Sequence, residues 1–175
     1  MKYWFLWASL IFSVSALAQK KTKAPKAEKK QVEGRAQTPS FDMLMQEAVK
    51  SYLRIQEAFS KNTFKGVSLE SMKIAAVADK LDPKIASGEH ADHYKNVPKN
   101  VKIRARALAK AKNIAEAREI FKKLSQPFAM WVSMAKPKNL QVVYCPMAKA
   151  SWLQKKGTVV SNPYLTNMPK CGNIL

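Results

Sequence analysis

From residue 128 to residue 175 the sequence carries six lysines and not one aspartate or glutamate. A stretch without carboxylates offers no ordinary ligand set for Ca2+ or Mg2+. Cysteine and histidine are almost as scarce, with two of each in 175 residues. That is too few for a disulfide-rich mini-fold, an all-cysteine zinc site or a histidine-rich metal centre. Glycine occurs five times (Gly34, Gly66, Gly88, Gly157, Gly172), always outside the periodic segments described below. There is no glycine-rich phosphate loop, no serine elbow and no Cys–His pair at a recognisable spacing. The acids that exist are scattered over helix surfaces. The chain is therefore expected not to be an enzyme.

What the sequence has in excess is positive charge, a formal +19 with a pI near 10.0. Nucleic-acid binding is the first reading of such a balance, but the N-terminus speaks against it. Lys2 precedes the apolar run YWFLWASLIFSVSALA, which ends on Ala16-Leu17-Ala18. Charge, apolar stretch and small-x-small site together describe a secretory signal, residues 1–18, cut after Ala18. The expected location is the periplasm, with no nucleic-acid partner and no transmembrane helix after processing. Residues 19–40 are rich in lysine and nearly free of large apolar side chains. They are expected to be a disordered basic linker, either adhering to anionic envelope components or serving as a solvated leader. Arg104, Arg106, Lys110 and Lys112 are spread around a helix rather than gathered on one face, which suits a solvated surface.

Residues 41–175 are expected to form a single helical domain. Ser40 can cap a helix whose stripe is Phe41, Met45, Ala48, Tyr52, Ile55 and Phe59. Ser68 can cap a second, with Ile74, Val77, Leu81 and Ile85 on its stripe, ended by Pro83. Pro98 opens a long third helix reaching Leu124 through the alanine-rich run RARALAKAKNIAEAR. Ser125 and Pro127 mark a break before a short fourth piece containing Phe128, Trp131, Val132 and Ala135. The fold expected from these stripes is all-α, an up-and-down bundle of three or four helices with an irregular C-terminal Cys/Met segment packed on it. Within that segment Leu140–Tyr144 could make a short strand. Met43, Met45, Met72, Met130 and Met134 are expected mostly on core-facing helix sides.

The C-terminal segment holds two sulfur pairs, Cys145-Pro146-Met147 and Met168-Pro169-Lys170-Cys171, each beside a proline. Between them lie Trp152-Leu153 and Asn162-Pro163-Tyr164. The ordered set YCPMA, WL, NPY and M..CG resembles a bacterial family numbered 3347 among domains of unknown function. Ile114-Ala115, Arg118, Phe121 and Leu124-Ser125 are similar to the helix that precedes this signature in the family. The resemblance spans roughly residues 44–175. Members occur as small secreted proteins and at the ends of periplasmic adaptor subunits of copper/silver efflux pumps. The resemblance thus implies a helical domain and a copper/silver efflux system as partner; it implies no established activity.

Cu(I) and Ag(I) favour thiolate and thioether sulfur, so Cys145, Met147, Met168 and Cys171 are a candidate soft-metal set. Trp152 could lie against a bound monovalent ion, and Tyr164 is its companion as a supporting residue. The competing reading is a Cys145–Cys171 disulfide, favoured by an oxidising compartment and contributing about 3–4 kcal/mol by loop entropy. Met147 and Met168 would then be core filler, and Trp152 and Tyr164 packing residues. The protein would be a basic structural or chaperone-like envelope module. One chemistry excludes the other on the same two sulfurs. A second metal candidate is His90 and His93 within EHADH, against which stands a plain polar connection between helices.

Overall fold

The computed structural model describes residues 39–86 and 91–175. The signal sequence lies outside the described residues, as does nearly all of the basic linker.

Helix α1 (Phe41–Ser60) starts where Ser40 leaves helical geometry and its side-chain oxygen accepts from the Met43 N–H at 3.2 Å. Its 4-3-4-3-4 stripe is buried throughout. Helix α2 (Val67–Ala78) begins two residues earlier than a Ser68 cap would place it. Gly66 sits in the left-handed region at φ 80°, turning the chain into the helix. Ser68 is thereby freed to donate from its hydroxyl to the Ala109 carbonyl at 2.9 Å. After α2, Asp82 caps a 3-10 turn at Pro83–Ile85 by accepting from the Lys84 N–H.

The long third helix is in fact two, α3 (Val97–Ala109) and α4 (Ile114–Ala135). The chain breaks at Asn113, whose side chain accepts from the Glu116 N–H at 2.9 Å. The Glu116 carboxylate in turn accepts from the Lys112 N–H at 2.9 Å. This reciprocal arrangement resembles a capping box, and it stops an alanine-rich run that propensity alone would continue. The break expected at Ser125 and Pro127 is absent. α4 runs through Pro127 to Ala135. A mid-helix proline costs about 3 kcal/mol. Continuity places Phe128 and Trp131 in the core, fully buried, and lets the Trp131 indole N–H donate to Asp42 at 2.8 Å. Packing outweighs the local rule.

The all-α expectation is overturned by a three-stranded antiparallel sheet. Strands β1 (Leu140–Cys145), β2 (Ala150–Lys155) and β3 (Asn173–Ile174) lie in the order β2-β1-β3. β1 and β2 form a hairpin with Val143 opposite Trp152 and Cys145 opposite Ala150. β3 pairs its Ile174 with Val143 on the other edge. The helices pack in sequence, α1 on α2, α2 on α3 and α3 on α4, and β2 lies against α4 and α1. Helices and sheet share one core.

A polar chain runs through that core. The Leu153 N–H donates to the Tyr52 hydroxyl at 3.2 Å, and Tyr52 stands 2.6 Å from the Ser125 hydroxyl. Ser125 stands 3.0 Å from the Tyr164 hydroxyl, which donates to the Ser151 carbonyl at 2.8 Å. The Ser125 hydroxyl also donates to the Phe121 carbonyl at 2.9 Å, so it ties both phenols to α4. Burial pushes the phenols of both tyrosines well above their ordinary range.

Candidate functional site

β1 delivers Cys145 to the hairpin turn, and the tail after β2 brings Cys171 back beside it. The two sulfurs are unbridged thiols in hydrogen-bond contact. Cys145 is completely buried and Cys171 half-buried. The Ala148 N–H donates to the Cys145 sulfur at 3.4 Å. The Met147 N–H and the Asn162 side chain point to the same sulfur. Burial pushes the Cys145 thiol up, but the Cys171 hydrogen bond, these backbone donors and Asn162 together bring it below the ordinary thiol value. Cys171 moves the other way. It gives its S–H to Cys145, is partly buried, and would ionise beside an existing thiolate. The pair loses its protons in two steps, the first leaving a thiolate on Cys145.

Asn162 builds this geometry and is only a turn residue by sequence. Its side-chain oxygen accepts from the N–H groups of Tyr164 at 2.8 Å and Leu165 at 3.1 Å, closing an Asx turn. Its amide nitrogen donates to the Cys171 carbonyl at 2.8 Å and also serves Cys145. Its oxygen thus shapes the turn while its nitrogen holds the two cysteines together. Arg118 secures the same loop to the helices. It donates to the Pro163 carbonyl at 2.9 Å and to the Phe59 carbonyl, near the end of α1, at 2.8 Å. Asn-Pro marks a turn in any sequence, so the only local signal for Asn162 is the turn itself.

Gly172 completes the approach. A Cβ there would come within 2.6 Å of both the Trp152 ring and a Val143 methyl. Only hydrogen fits, and so the tail can lie flat on the sheet with Cys171 next to Cys145.

Met147 and Met168 do not fill core space, contrary to the expectation attached to a disulfide. They are 63% and 38% exposed. Their backbones nevertheless border the sulfurs. The Met147 N–H serves both cysteines, and the Cys171 N–H donates to the Met168 carbonyl at 3.0 Å. Trp152 and Tyr164 are buried packing residues, 5.9 Å apart edge to face. The Trp152 indole N–H donates to Gln154 at 3.3 Å. Of the histidine pair, His90 lies outside the described residues. His93 is exposed in a 3-10 turn at Ala91–Tyr94, and its neighbour Asp92 pairs with Lys95 at 2.9 Å. Among the described residues no three His, Cys, Asp or Glu side chains cluster as a metal site. The sulfur quartet contains only two such residues. Met43, Met72 and Met130 are exposed, which corrects their placement in the core, whereas Met45 is fully buried.

A four-helix body carrying a sulfur-bearing antiparallel sheet is thus the class of domain at hand. The chain belongs to the family described as protein of unknown function, DUF3347, whose profile matches residues 48–139. The match covers most of α1 and all of α2, α3 and α4, and stops just before β1. No curated protein and no solved structure matches the chain. Among the described residues no helix is long and apolar enough to cross a membrane.

Proposed function

We propose that this is an exported, non-enzymatic envelope protein that binds Cu(I) or Ag(I) at Cys145 and Cys171, as an accessory to soft-metal efflux. The observation that carries the reading is the contact between the two sulfurs, with Cys145 the more readily ionised of the two. A pair of adjacent thiolates suits a soft monovalent ion. Met147 and Met168 border the pair, and their exposed thioethers can add neutral ligands that acid does not protonate. Binding displaces the thiol protons, so affinity falls as pH falls. Residues 19–40 would add electrostatic contact with anionic envelope components.

The same contact favours a second reading, a structural Cys145–Cys171 disulfide. It forms when the two thiols lose two protons and pass two electrons to a thiol–disulfide oxidant of the envelope. β1 would then be stapled to the tail of a basic structural or chaperone-like module.

Two measurements separate these readings. Alkylation of protein taken from the periplasm, followed by intact mass, counts free thiols. Two labelled cysteines support ligation, and none supports the staple. Titrating the reduced protein with Cu(I) against a competing chelator then tests the metal directly. Stoichiometric uptake lost in Cys145→Ser and Cys171→Ser supports the proposal. Uptake no better than in the double variant removes it.

A further inference from the structure

At the opposite end of β1 from Cys145, two clefts of about 570 and 830 Å3 share Lys138, Leu140 and Lys156. The first runs between α1 and the hairpin ends, with Val49, Leu53 and Leu140 as its apolar wall. Val49 and Leu140 are buried and Leu53 half-buried. Lys50 and Lys155 stand on the rim with the shared lysines, and no acidic side chain lines either cleft. The ion pairs found among the described residues involve other basic side chains, none of which lines either cleft. Lys155 also feels Glu57, but Lys50, Lys138 and Lys156 leave an excess of positive charge around a partly apolar space of ligand size.

The second cleft adds an independent sign. Gln141 lines it and is only 9% exposed, and its buried Nε2 has no hydrogen-bond partner. A buried donor without an acceptor is costly, and native structures leave few of them. The nitrogen is enclosed, so a bound anion reaches it once the Gln141 amide turns toward the cleft.

We propose that this groove binds one phosphate-headed amphiphile. The head sits between Lys138 and Lys156 within reach of Gln141, and the acyl chain lies along Leu53, Val49 and Leu140. Neither an apolar wall nor a lysine rim alone would select such a molecule; together they match its two ends. The site is separate from the sulfur pair and stands or falls without it.

The probe is dihexanoyl phosphatidic acid below its micellar concentration, titrated into the purified protein and followed by amide NMR shifts and calorimetry. The expected result is saturable 1:1 binding, with shifts at Lys138, Gln141 and Lys156. Affinity should fall about tenfold or more in Lys138→Glu/Lys156→Glu. Both lysines are exposed, and an unchanged melting temperature verifies the fold. Leu53→Asn should weaken the lipid but not free phosphate. Several outcomes overturn the proposal: no saturable binding; equal affinity for dihexanoyl phosphatidylcholine; inorganic phosphate binding as tightly as the lipid; or binding to anionic vesicles without binding to the monomer.

Discussion

The Ser125 hydroxyl lies 2.6 Å from the phenol oxygen of Tyr52, across 73 positions of sequence. It joins α1 to α4 at the place where both meet the sheet. Because Tyr164 is 3.0 Å away on the other side, this one small hydroxyl is what the two buried phenols share.

Ser125→Ala should therefore cost more than an exposed serine would. It removes the hydroxyl that joins the two phenols and leaves the Tyr52 proton without an acceptor, while Tyr164 keeps the Ser151 carbonyl. A loss of about 1–3 kcal/mol is expected, from the usual cost of an unsatisfied buried group. Urea unfolding of the variant measures it, and a change within a few tenths would show the chain to be dispensable. Tyr52→Phe keeps the ring packed but strips the Leu153 N–H of its acceptor, so a loss of similar size is expected.

Gly172→Ala pushes a methyl into the Trp152 ring and the Val143 methyl, with no flexible side chain to yield. A destabilisation of about 1–3 kcal/mol is expected, as for overpacked cores. The damage should concentrate in the tail, so amide exchange at Ile174 should accelerate while α1 and α2 stay protected. Uniform loss of protection would argue against a separately docking tail.

The thiols should titrate apart. Absorbance near 240 nm, a thiolate band, should rise in two steps in the reduced protein. Cys145 ionises below the ordinary thiol value and Cys171 above it. In Cys171→Ala the Cys145 step should move up, and in Cys145→Ala the Cys171 step should move down. The sign for stability follows from the lowered Cys145 value. Its contribution is complete above the unfolded thiol value and is lost as pH falls through the folded one. The raised Cys171 value acts oppositely, destabilising the reduced fold at the alkaline end. Identical single-step titrations in wild type and variants would contradict the shared proton.

Asn162→Ala should free Cys171 without removing either sulfur. Its carbonyl loses the 2.8 Å amide donor and the Asx turn opens. Iodoacetamide should then modify Cys171 several-fold faster, and the Cys145 step should shift upward. Unchanged alkylation would show that Arg118 and the turn backbone suffice to hold the loop.

The helical half of the molecule is legible in the sequence where one face meets one core. Phe41, Met45 and Tyr52 repeat at helical spacing because α1 is buried along a single side. The sheet is not, for a physical reason. Trp152, Leu153 and Gln154 are all buried, since helices cover one face and the tail the other. The alternation that marks a half-exposed strand is erased. The gap between α3 and α4 hides in a run of strong helix formers, though Asn113 and Glu116 carry the cap signal at the right spacing. Pro127 misleads because tertiary packing overrides a local penalty. For the site, the cysteines and methionines can be found as a chemical set. Asn162 cannot, because its bonds to Cys145 and Cys171 exist only once distant segments meet. The groove at Leu140 escapes as well, since its lysines come from three separate elements.

β3 is two residues long, yet it covers the outer edge of β1, where the Leu175 N–H also donates to the Val142 carbonyl at 3.0 Å. A ribosome delivers β1 and β2 before it delivers residues 171–175. In that interval the nascent hairpin shows an unpaired, apolar strand edge of the kind that recruits other chains. Clipping the last five residues would make the interval permanent. Residues 171–175 thus close that edge, and the second thiol arrives with them.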